Sequence, residues 1–183
     1  EIIVLVKDKL LDTKYKITNK NKIFLLNTGC GPVYPHKKWT KDGYVKLVNE
    51  LLKDKNNIII LTGSTSEKKR NDEINKSTNS NRIIDTTTMY SIKQFCNLIN
   101  LSDIVITGDT VALHIAISLQ KKIVSFFGPT PHQEINLFGL GNKLVREELD
   151  CLNCYDQFPC PYDGKCMSLI SHKDVLKSIK ELL

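Results

Sequence analysis

The chain has 183 residues, of which 41% are hydrophobic and 25% are charged, and its formal net charge is +6. These values are typical of one soluble globular domain with its own core, and no apolar run approaches the length of a membrane span. The excess of lysine favours anionic partners. The sequence has no arginine-rich or aromatic-interleaved stripe, which argues against nucleic acid as a partner.

The predicted strands are short apolar runs. Residues 1–6 fit either a strand or the end of a linker, so residues 1–21 are assigned as a linker or edge segment. None of the later runs alternates polar and apolar residues, which indicates parallel strands buried on both faces. These runs cover residues 23–26, 58–61, 83–84, 104–106 and 123–127.

The predicted helices lie between and after these strands, where apolar residues recur at the spacing of one helix face. They fall around residues 44–52, 92–99 and 175–183, with a more polar, exposed helix over 66–77. Residues 111–119 are apolar nearly all round, so we expect that helix to be buried. Alternating strands and helices predict an α/β fold with a parallel sheet and right-handed crossovers.

The segment 145–170 breaks this alternation and is predicted to be irregular and cysteine-rich. No second domain boundary is visible, so residues 22–183 are assigned to one domain. Ligands of such domains bind beyond the carboxyl ends of the strands. The loops that follow the strands are therefore the candidate sites.

The loop after the first predicted strand reads NTGCGPVYPHKKW, residues 27–39. Thr28, Gly29 and Gly31 can bring backbone N–H groups close to an anion, and Lys37 and Lys38 follow. Lysine is a good point-charge partner for a phosphate. The alternative is a glycine turn with solvated lysines, and neither GxGxxG nor a Walker A motif is present.

The loop after the second predicted strand reads TGSTSEKKR, residues 62–70. Ser66 is the predicted N-cap of the helix that follows, and Glu67 falls in its first turn. Glu67 is explained either by favourable charge–dipole placement or as a carboxylate that accepts from ribose hydroxyls.

The stretch ITGDTVALHIA, residues 106–116, places an acid and a hydroxyl between a strand and a helix. Asp109 or Thr110 can cap that helix, and the free N–H groups of its first turn are a ready anion site. A diphosphate would repel Asp109, which is therefore expected to face sugar hydroxyls or only to cap. His114 is expected to be a core histidine. In the next loop, FGPTPH, Thr130 offers a hydroxyl and an N–H.

The ordered set of motifs resembles the C-terminal half of the heptosyltransferases that build the lipopolysaccharide core, glycosyltransferase family nine. The motifs are the glycine loop with its lysine pair, LTGSTSE, DTVALHIA, FGPT and the tail CLNCYDQFPCPYDGKCM. The resemblance covers about residues 22–183. It implies a Rossmann-like parallel sheet with helices on both faces, one half of a GT-B glycosyltransferase, that binds the nucleotide sugar ADP-heptose.

The resemblance also implies roles for individual residues. Lys37 and Thr28 would contact the donor phosphates, Glu67 the ribose, and Asp109 the sugar. Tyr90 lies where the family places the adenine. Val111 departs from the pattern, since the family usually has glycine there. The full set of implied donor-binding residues is Thr28, Gly29, Lys37, Glu67, Tyr90, Asp109, Thr110, Val111, His114 and Thr130.

The implied reaction is an inverting, metal-independent transfer to the lipopolysaccharide inner core, with no cofactor required. Lys37 and Asp109 are the residues of this half expected to act in catalysis, Lys37 and the helix start at Thr110 stabilising the leaving diphosphate. The general base and the acceptor site would belong to an N-terminal domain that this chain lacks. The isolated chain is therefore expected to bind donor but to transfer poorly.

Two alternatives to this function stay open. The same half-fold would serve a UDP- or GDP-sugar, and a non-catalytic nucleotide-sugar-binding module would need no second domain. With no secretory signal, a reducing cytoplasmic location is expected. There the basic charge would favour peripheral contact with an anionic inner-membrane surface.

The cysteine tail follows the pattern C-x2-C-x5-C-x5-C, formed by Cys151, Cys154, Cys160 and Cys166. The first pair has the spacing of zinc ligands and the second does not. No metal is assigned, and a structural metal or iron–sulfur site at these four residues is the alternative.

Overall fold

A computed structural model describes residues 17–88, 90–155 and 160–183. The strand considered for residues 1–6 lies outside these ranges. Within them, six parallel strands form one sheet in the order β3-β2-β1-β4-β5-β6. The strands are β1 (Lys22–Asn27), β2 (Asn57–Thr62), β3 (Ile83–Asp85), β4 (Ile104–Gly108), β5 (Lys122–Phe126) and β6 (Gly141–Leu144).

The helices of the described ranges fall between and after the strands, as the alternating pattern predicts. They are α1 (Lys41–Leu51), α2 (Lys68–Thr78), α3 (Ile92–Leu101), α4 (Val111–Ser118), α5 (Lys165–Ser168) and α6 (His172–Leu182). Both the predicted α/β class and the five predicted strands are confirmed.

Both faces of the sheet are covered, because side chains of one strand alternate between two cores. Phe24 and Leu26 of β1 belong to a core that also contains residues of α1, α2 and α6. Ile23 and Leu25 belong to the opposite core, which contains residues of α3 and α4. Strands buried on both faces explain the continuous apolar runs of the sequence.

The strand order reverses between β1 and β4. The chain first builds outward from β1 to β2 and β3, then returns to place β4 on the other side of β1. The loops after β1 and β4 therefore diverge, and a crevice opens at the carboxyl ends of these strands. This is the position where open α/β sheets bind ligands.

Three local expectations are corrected. Strand β6 was not predicted, because its sequence GNKL holds a single large apolar side chain and its residues are only half-buried at the sheet edge. The segment expected to be irregular contains the short helix α5. Helix α4 buries Ala112, Leu113 and Ala116 but leaves Val111 60% exposed, so the expectation of a fully buried helix is wrong.

None of the helices in the described ranges is long and apolar enough to cross a membrane.

Candidate functional site

A cavity of about 710 Å³ occupies the crevice at the carboxyl ends of β1 to β4. It is bounded by the loops that follow these strands and by the first turns of α3 and α4. Most of the donor-site residues that the sequence singles out line this cavity. They are Gly29, Lys37, Glu67, Tyr90, Asp109, Thr110 and Val111.

The loop after β1 carries the two lysines and is anchored just beyond them. Residues Pro35–Lys37 form a single 3-10 turn, in which proline at the first position supplies the required φ. Trp39 is 1% exposed, stacks on Phe126 with ring centroids 4.7 Å apart, and donates from Nε1 to the Ile170 carbonyl at 2.8 Å. This anchor fixes the chain immediately after the lysine pair.

Lys37 reaches toward β4, where its Nζ lies 3.0 Å from Asp109 Oδ2. The two side chains are 13% and 17% exposed, so water screens this pair less than a surface ion pair. The same ammonium lies 5.3 Å from the centroid of the Tyr34 ring, within the range of a cation–π contact.

Lys38 reaches in the opposite direction, toward β2, where its Nζ lies 3.1 Å from Glu67 Oε1. Two consecutive lysines of the β1 loop thus pair with acids on the two neighbouring strand-end loops. Because β1 stands between β2 and β4, this arrangement follows directly from the strand order.

Glu67 is 2% exposed and forms a capping box with Ser64, whose N–H and hydroxyl both donate to Oε2. Ser64 is therefore the N-cap of a 3-10 turn, Thr65–Glu67, and Glu67 occupies the N-cap position of α2, so the prediction of Ser66 is wrong. The Ser66 hydroxyl instead donates to Glu67 Oε1 at 2.7 Å. Burial raises the pKa of Glu67, but the hydrogen bonds from Ser64, Ser66 and Lys38 outweigh it, so the pKa lies below its ordinary value. The carboxylate is therefore ionised at neutral pH.

Gly29 lies against the same carboxylate, which leaves no space for a side chain at this position. A Cβ at this position would lie 2.1 Å from Glu67 Cδ and 2.4 Å from its Oε1. The glycine loop after β1 and the acid after β2 are thus in direct contact. The absence of a side chain at residue 29 is what permits this contact.

Helix α4 begins at the other side of the cavity. Thr110 occupies the N-cap position with extended φ and ψ, but its side chain makes no capping hydrogen bond. Its hydroxyl instead accepts from Asn27 Nδ2 at 3.1 Å. The N–H groups of Val111 and Ala112, in the first helical turn, have no intrahelical acceptor, and both residues line the cavity. Of the two candidate caps, Thr110 is therefore the N-cap residue by position but not through its side chain, and the helix start stays open toward the cavity.

The end of the cavity between β3 and α3 is more apolar. Tyr90, Ile92 and Phe95 line it, and burial raises the pKa of the Tyr90 hydroxyl. Ile92 is 64% exposed at this rim although the helical pattern predicts it on a buried face. Ile92 is the first residue of α3, and the buried residues of this helix, Leu98 and Ile99, lie near its other end.

Two implied donor-site residues lie away from the cavity lining. Thr28 is 1% exposed, and its hydroxyl donates to Asn71 Oδ1 rather than pointing into the cavity. Thr130 follows β5, which pairs with β4, but it is not among the residues that line the cavity. Their contacts with a donor remain predictions.

His114 is not a core residue, and that expectation is wrong. Its side chain is 58% exposed, and its Nε2 lies 3.8 Å from Asp109 Oδ1. His114 is exposed because it lies on the outer face of α4, one turn after Thr110, whereas Ala112, Leu113 and Ala116 take the buried face. His114 therefore stands beside the Lys37–Asp109 pair.

Asn27 is a cavity residue that the sequence reasoning missed. It ends β1 and its amide donates to the Gly29 carbonyl and to the hydroxyls of Thr107 and Thr110, at 3.1, 3.2 and 3.1 Å. A polar residue at the last position of a buried strand is the signal that would have found it.

None of the cysteines in the described ranges forms a disulfide. Cys166 is buried, and burial together with the nearby Cys151, Cys154 and Cys160 raises its pKa to about 11. Among the described residues, no group of three or more histidine, cysteine or acidic side chains is arranged to hold a metal ion.

The profile of glycosyltransferase family 9 (heptosyltransferase) matches residues 5–162 of the chain. The chain belongs to this family. Its curated relatives include lipooligosaccharide heptosyltransferase 2 of Campylobacter jejuni serotype O:6, which is 30% identical over 96% of this chain and 58% of its own length. This family 9 chain thus spans just over half the length of that relative.

Solved structures of similar fold include the ADP-heptose lipopolysaccharide heptosyltransferase II of E. coli, with a TM-score of 0.77 at 16% identity, over 99% of this chain and 50% of the other. The E. coli heptosyltransferase WaaC with ADP-2-deoxy-2-fluoro heptose has a TM-score of 0.62 at 18% identity, over 96% and 47%. These likenesses confirm the expected half of a GT-B fold.

Proposed function

We propose that the cavity binds the nucleotide-sugar donor of a heptosyltransferase, ADP-heptose. The observation that carries this proposal is the arrangement of Lys37 and the open start of α4 on the two sides of the strand-order reversal. A lysine ammonium and unpaired helix N–H groups are both partners for a diphosphate. Membership of family 9 supports the choice of donor.

The proposed orientation places the diphosphate between Lys37 and the N–H groups of Val111 and Ala112. The adenine would lie toward Tyr90 and Phe95, where the lining is apolar. Glu67 would accept from ribose hydroxyls, and Asp109 from hydroxyls of the sugar. In this orientation the sugar would lie beside Asp109 and near His114, whose Nε2 is 3.8 Å from Asp109 Oδ1.

The proposed reaction is an inverting displacement at the anomeric carbon of the donor. The acceptor hydroxyl attacks this carbon, loses its proton to a base, and the bond to the diphosphate oxygen breaks. The electron pair of that bond leaves with ADP, so negative charge grows on the diphosphate. Lys37 and the α4 amides would stabilise this charge in a preorganised site.

The acceptor and the general base belong to the wider proposal. We assign them to a part of the protein beyond this cavity, since the chain spans just over half the length of its curated relative. The proposed acceptor is the lipopolysaccharide inner core, at the cytoplasmic side of an anionic inner membrane. The net charge of +6 would favour contact with that surface.

The test is a calorimetric titration of the protein with ADP, UDP and GDP. We expect ADP to bind, and the affinity to fall with added salt because the contact is charged. ADP binding weaker than that of UDP or GDP would contradict the choice of donor. A failure of all three nucleotides to bind at millimolar concentrations would contradict the whole proposal.

A further inference from the structure

One buried amide beneath the cavity connects three of the loops that form it. Asn71, in α2, is 0% exposed. Its Oδ1 accepts from Thr28 Oγ1 at 2.5 Å, while its Nδ2 donates to Thr87 Oγ1 at 2.7 Å and to the Thr62 carbonyl at 3.4 Å. These three partners stand at the carboxyl ends of β1, β2 and β3. A single side chain therefore links three adjacent strand ends.

This amide lies one layer below the cavity. Thr28, Asn71 and Thr87 are not among the lining residues, whereas Gly29 and Thr88, the next residues along the chain, are. The positions of Gly29 and Thr88 therefore depend on neighbours that Asn71 holds, and Thr62, whose carbonyl Asn71 also bonds, lines the cavity itself. Asn71 has no route to a bound ligand except through these neighbours.

The backbone of Thr88, which lines the cavity, has a conformation that needs support from its neighbours. Its φ is +64°, in the left-handed region that a β-branched residue rarely adopts. Its N–H donates to the Gly63 carbonyl at 3.1 Å, which ties the β3 loop to the β2 loop. Strained backbone of this kind persists only where its surroundings hold it, and Thr87 is held by Asn71 and by Asp85.

We propose that Asn71 is a positioning residue for the nucleotide site, holding the strand-end loops of β1, β2 and β3 in the conformation that binds the donor. The inference rests on the proposed function. Only an amide fits the position, because the side chain must accept from Thr28 and donate to Thr62 and Thr87 at once. A carboxylate accepts but cannot donate, and an apolar side chain does neither.

The test compares Asn71→Leu with Asn57→Leu, using ADP as the probe. Asn57 is also buried, and its Nδ2 donates to the Leu51 carbonyl at 2.8 Å. Asn57 is the first residue of β2, so it lies at the amino ends of the strands, opposite the cavity. The same substitution can therefore be made there away from the cavity. We expect both variants to lower the melting temperature, and only Asn71→Leu to weaken ADP binding, by at least tenfold at a temperature where the protein is folded.

A second variant keeps the test decisive if Asn71→Leu does not fold. Thr87→Val removes the hydroxyl that accepts from Asn71 and donates to Asp85, and we expect it to weaken ADP binding by at least threefold. Hydrogen exchange of residues 83–88 should also accelerate relative to the rest of the sheet in these variants, but not in Asn57→Leu.

The outcomes separate the inference from the proposed function. If wild-type protein binds ADP and both cavity-side variants bind within twofold of it, the positioning role is overturned while the donor site stands. Loss of ADP affinity in Asn57→Leu to the same degree would also overturn it, since the effect would then be general destabilisation. If the wild type binds no nucleotide, the donor site and the positioning role fall together.

Discussion

Lys37 Nζ lies 3.0 Å from Asp109 Oδ2 and joins the two loops on either side of the strand-order reversal. An acid of the protein thus neutralises the lysine proposed to bind phosphate. A diphosphate that reaches Lys37 must compete with this carboxylate. Asp109 therefore opposes nucleotide binding through its charge, while its proposed contact with the sugar favours the complete donor.

Replacing the two partners separately should give opposite effects on ADP affinity. We expect Lys37→Ala to weaken ADP binding by about tenfold to a hundredfold, as for loss of a charged hydrogen bond. Asp109→Asn should strengthen ADP binding by about threefold to tenfold, because a negative charge beside the bound anion is removed. Asp109→Asn should strengthen ADP-heptose binding less, since the sugar loses a contact. Titration calorimetry measures all three.

Lys41→Ala is the control for these variants. Lys41 pairs with Glu73 outside the cavity, and both side chains are about half exposed. The Lys41→Ala variant should bind ADP with the affinity of the wild type. Equal ADP affinities for Asp109→Asn and the wild type would contradict the competition between carboxylate and diphosphate.

Glu67→Gln should lower the free energy of unfolding at neutral pH by about 1–3 kcal/mol, because it weakens a network of hydrogen bonds to a buried charge. The folded pKa of Glu67 lies below its ordinary value of 4.5. Its contribution to stability is therefore present above pH 4.5 and is lost as the pH falls through the folded pKa. Urea unfolding between pH 3 and pH 7 measures the difference between variant and wild type.

The difference should shrink toward the acid end of that range. Glu50→Gln, which removes an exposed partner of Lys53, is the control and should unfold near the wild-type denaturant concentration. A stability difference for Glu67→Gln that stays constant down to pH 3 would show that the carboxylate charge is not the cause.

Gly29→Ala should disturb the cavity without removing a charged group. The new methyl group would overlap the Glu67 carboxylate, and overpacking of this kind costs about 1–3 kcal/mol. We expect a lower melting temperature and weaker ADP binding, because the displaced Glu67 no longer stands where it would accept from the ribose hydroxyls. Gly139→Asn is the comparison, since residue 139 is not among the residues that line the cavity, has open space around it, and has a φ of +76° that asparagine tolerates. Similar losses in both variants would refute the role of the Gly29–Glu67 contact.

Cys166 should be the slowest of the six thiols to react with iodoacetamide at pH 8. Its pKa is raised to about 11, so on the order of one Cys166 thiol in a thousand is ionised at that pH, and the side chain is buried. Pulse labelling followed by peptide mass spectrometry measures each rate. Labelling of Cys166 as fast as the half-buried Cys96 would refute the prediction.

The fold was predictable because its signals are local. Continuous apolar runs identify β1 to β5, and the loops after them identify most of the cavity. Strand β6 lacks an apolar run, so only its pairing with β5 makes it a strand. The sequence places Lys37 and Lys38 together, but their separation toward Asp109 and Glu67 depends on the strand order, which no local pattern encodes.

At the site, the hydroxyls of two threonines form hydrogen bonds with residues that are distant in the sequence, which the sequence alone did not predict. Asp109 or Thr110 was expected to cap α4, and Thr110 takes the N-cap position, but its hydroxyl accepts from Asn27 at the end of β1 instead of from the first turn of the helix. The Thr28 hydroxyl donates to Asn71 in the fold, and its contact with the donor phosphates stays a prediction. Both partners are more than forty residues away from the threonine they bind. Propensities within one loop cannot reveal such partners.

The anchor at Trp39 has an optical consequence. It is the single tryptophan of the chain, it is almost fully buried, and it directly follows the two lysines of the cavity. All tryptophan fluorescence of the protein therefore originates at the base of the phosphate-facing loop. A shift of that emission on addition of a nucleotide would report movement of this loop without any added label.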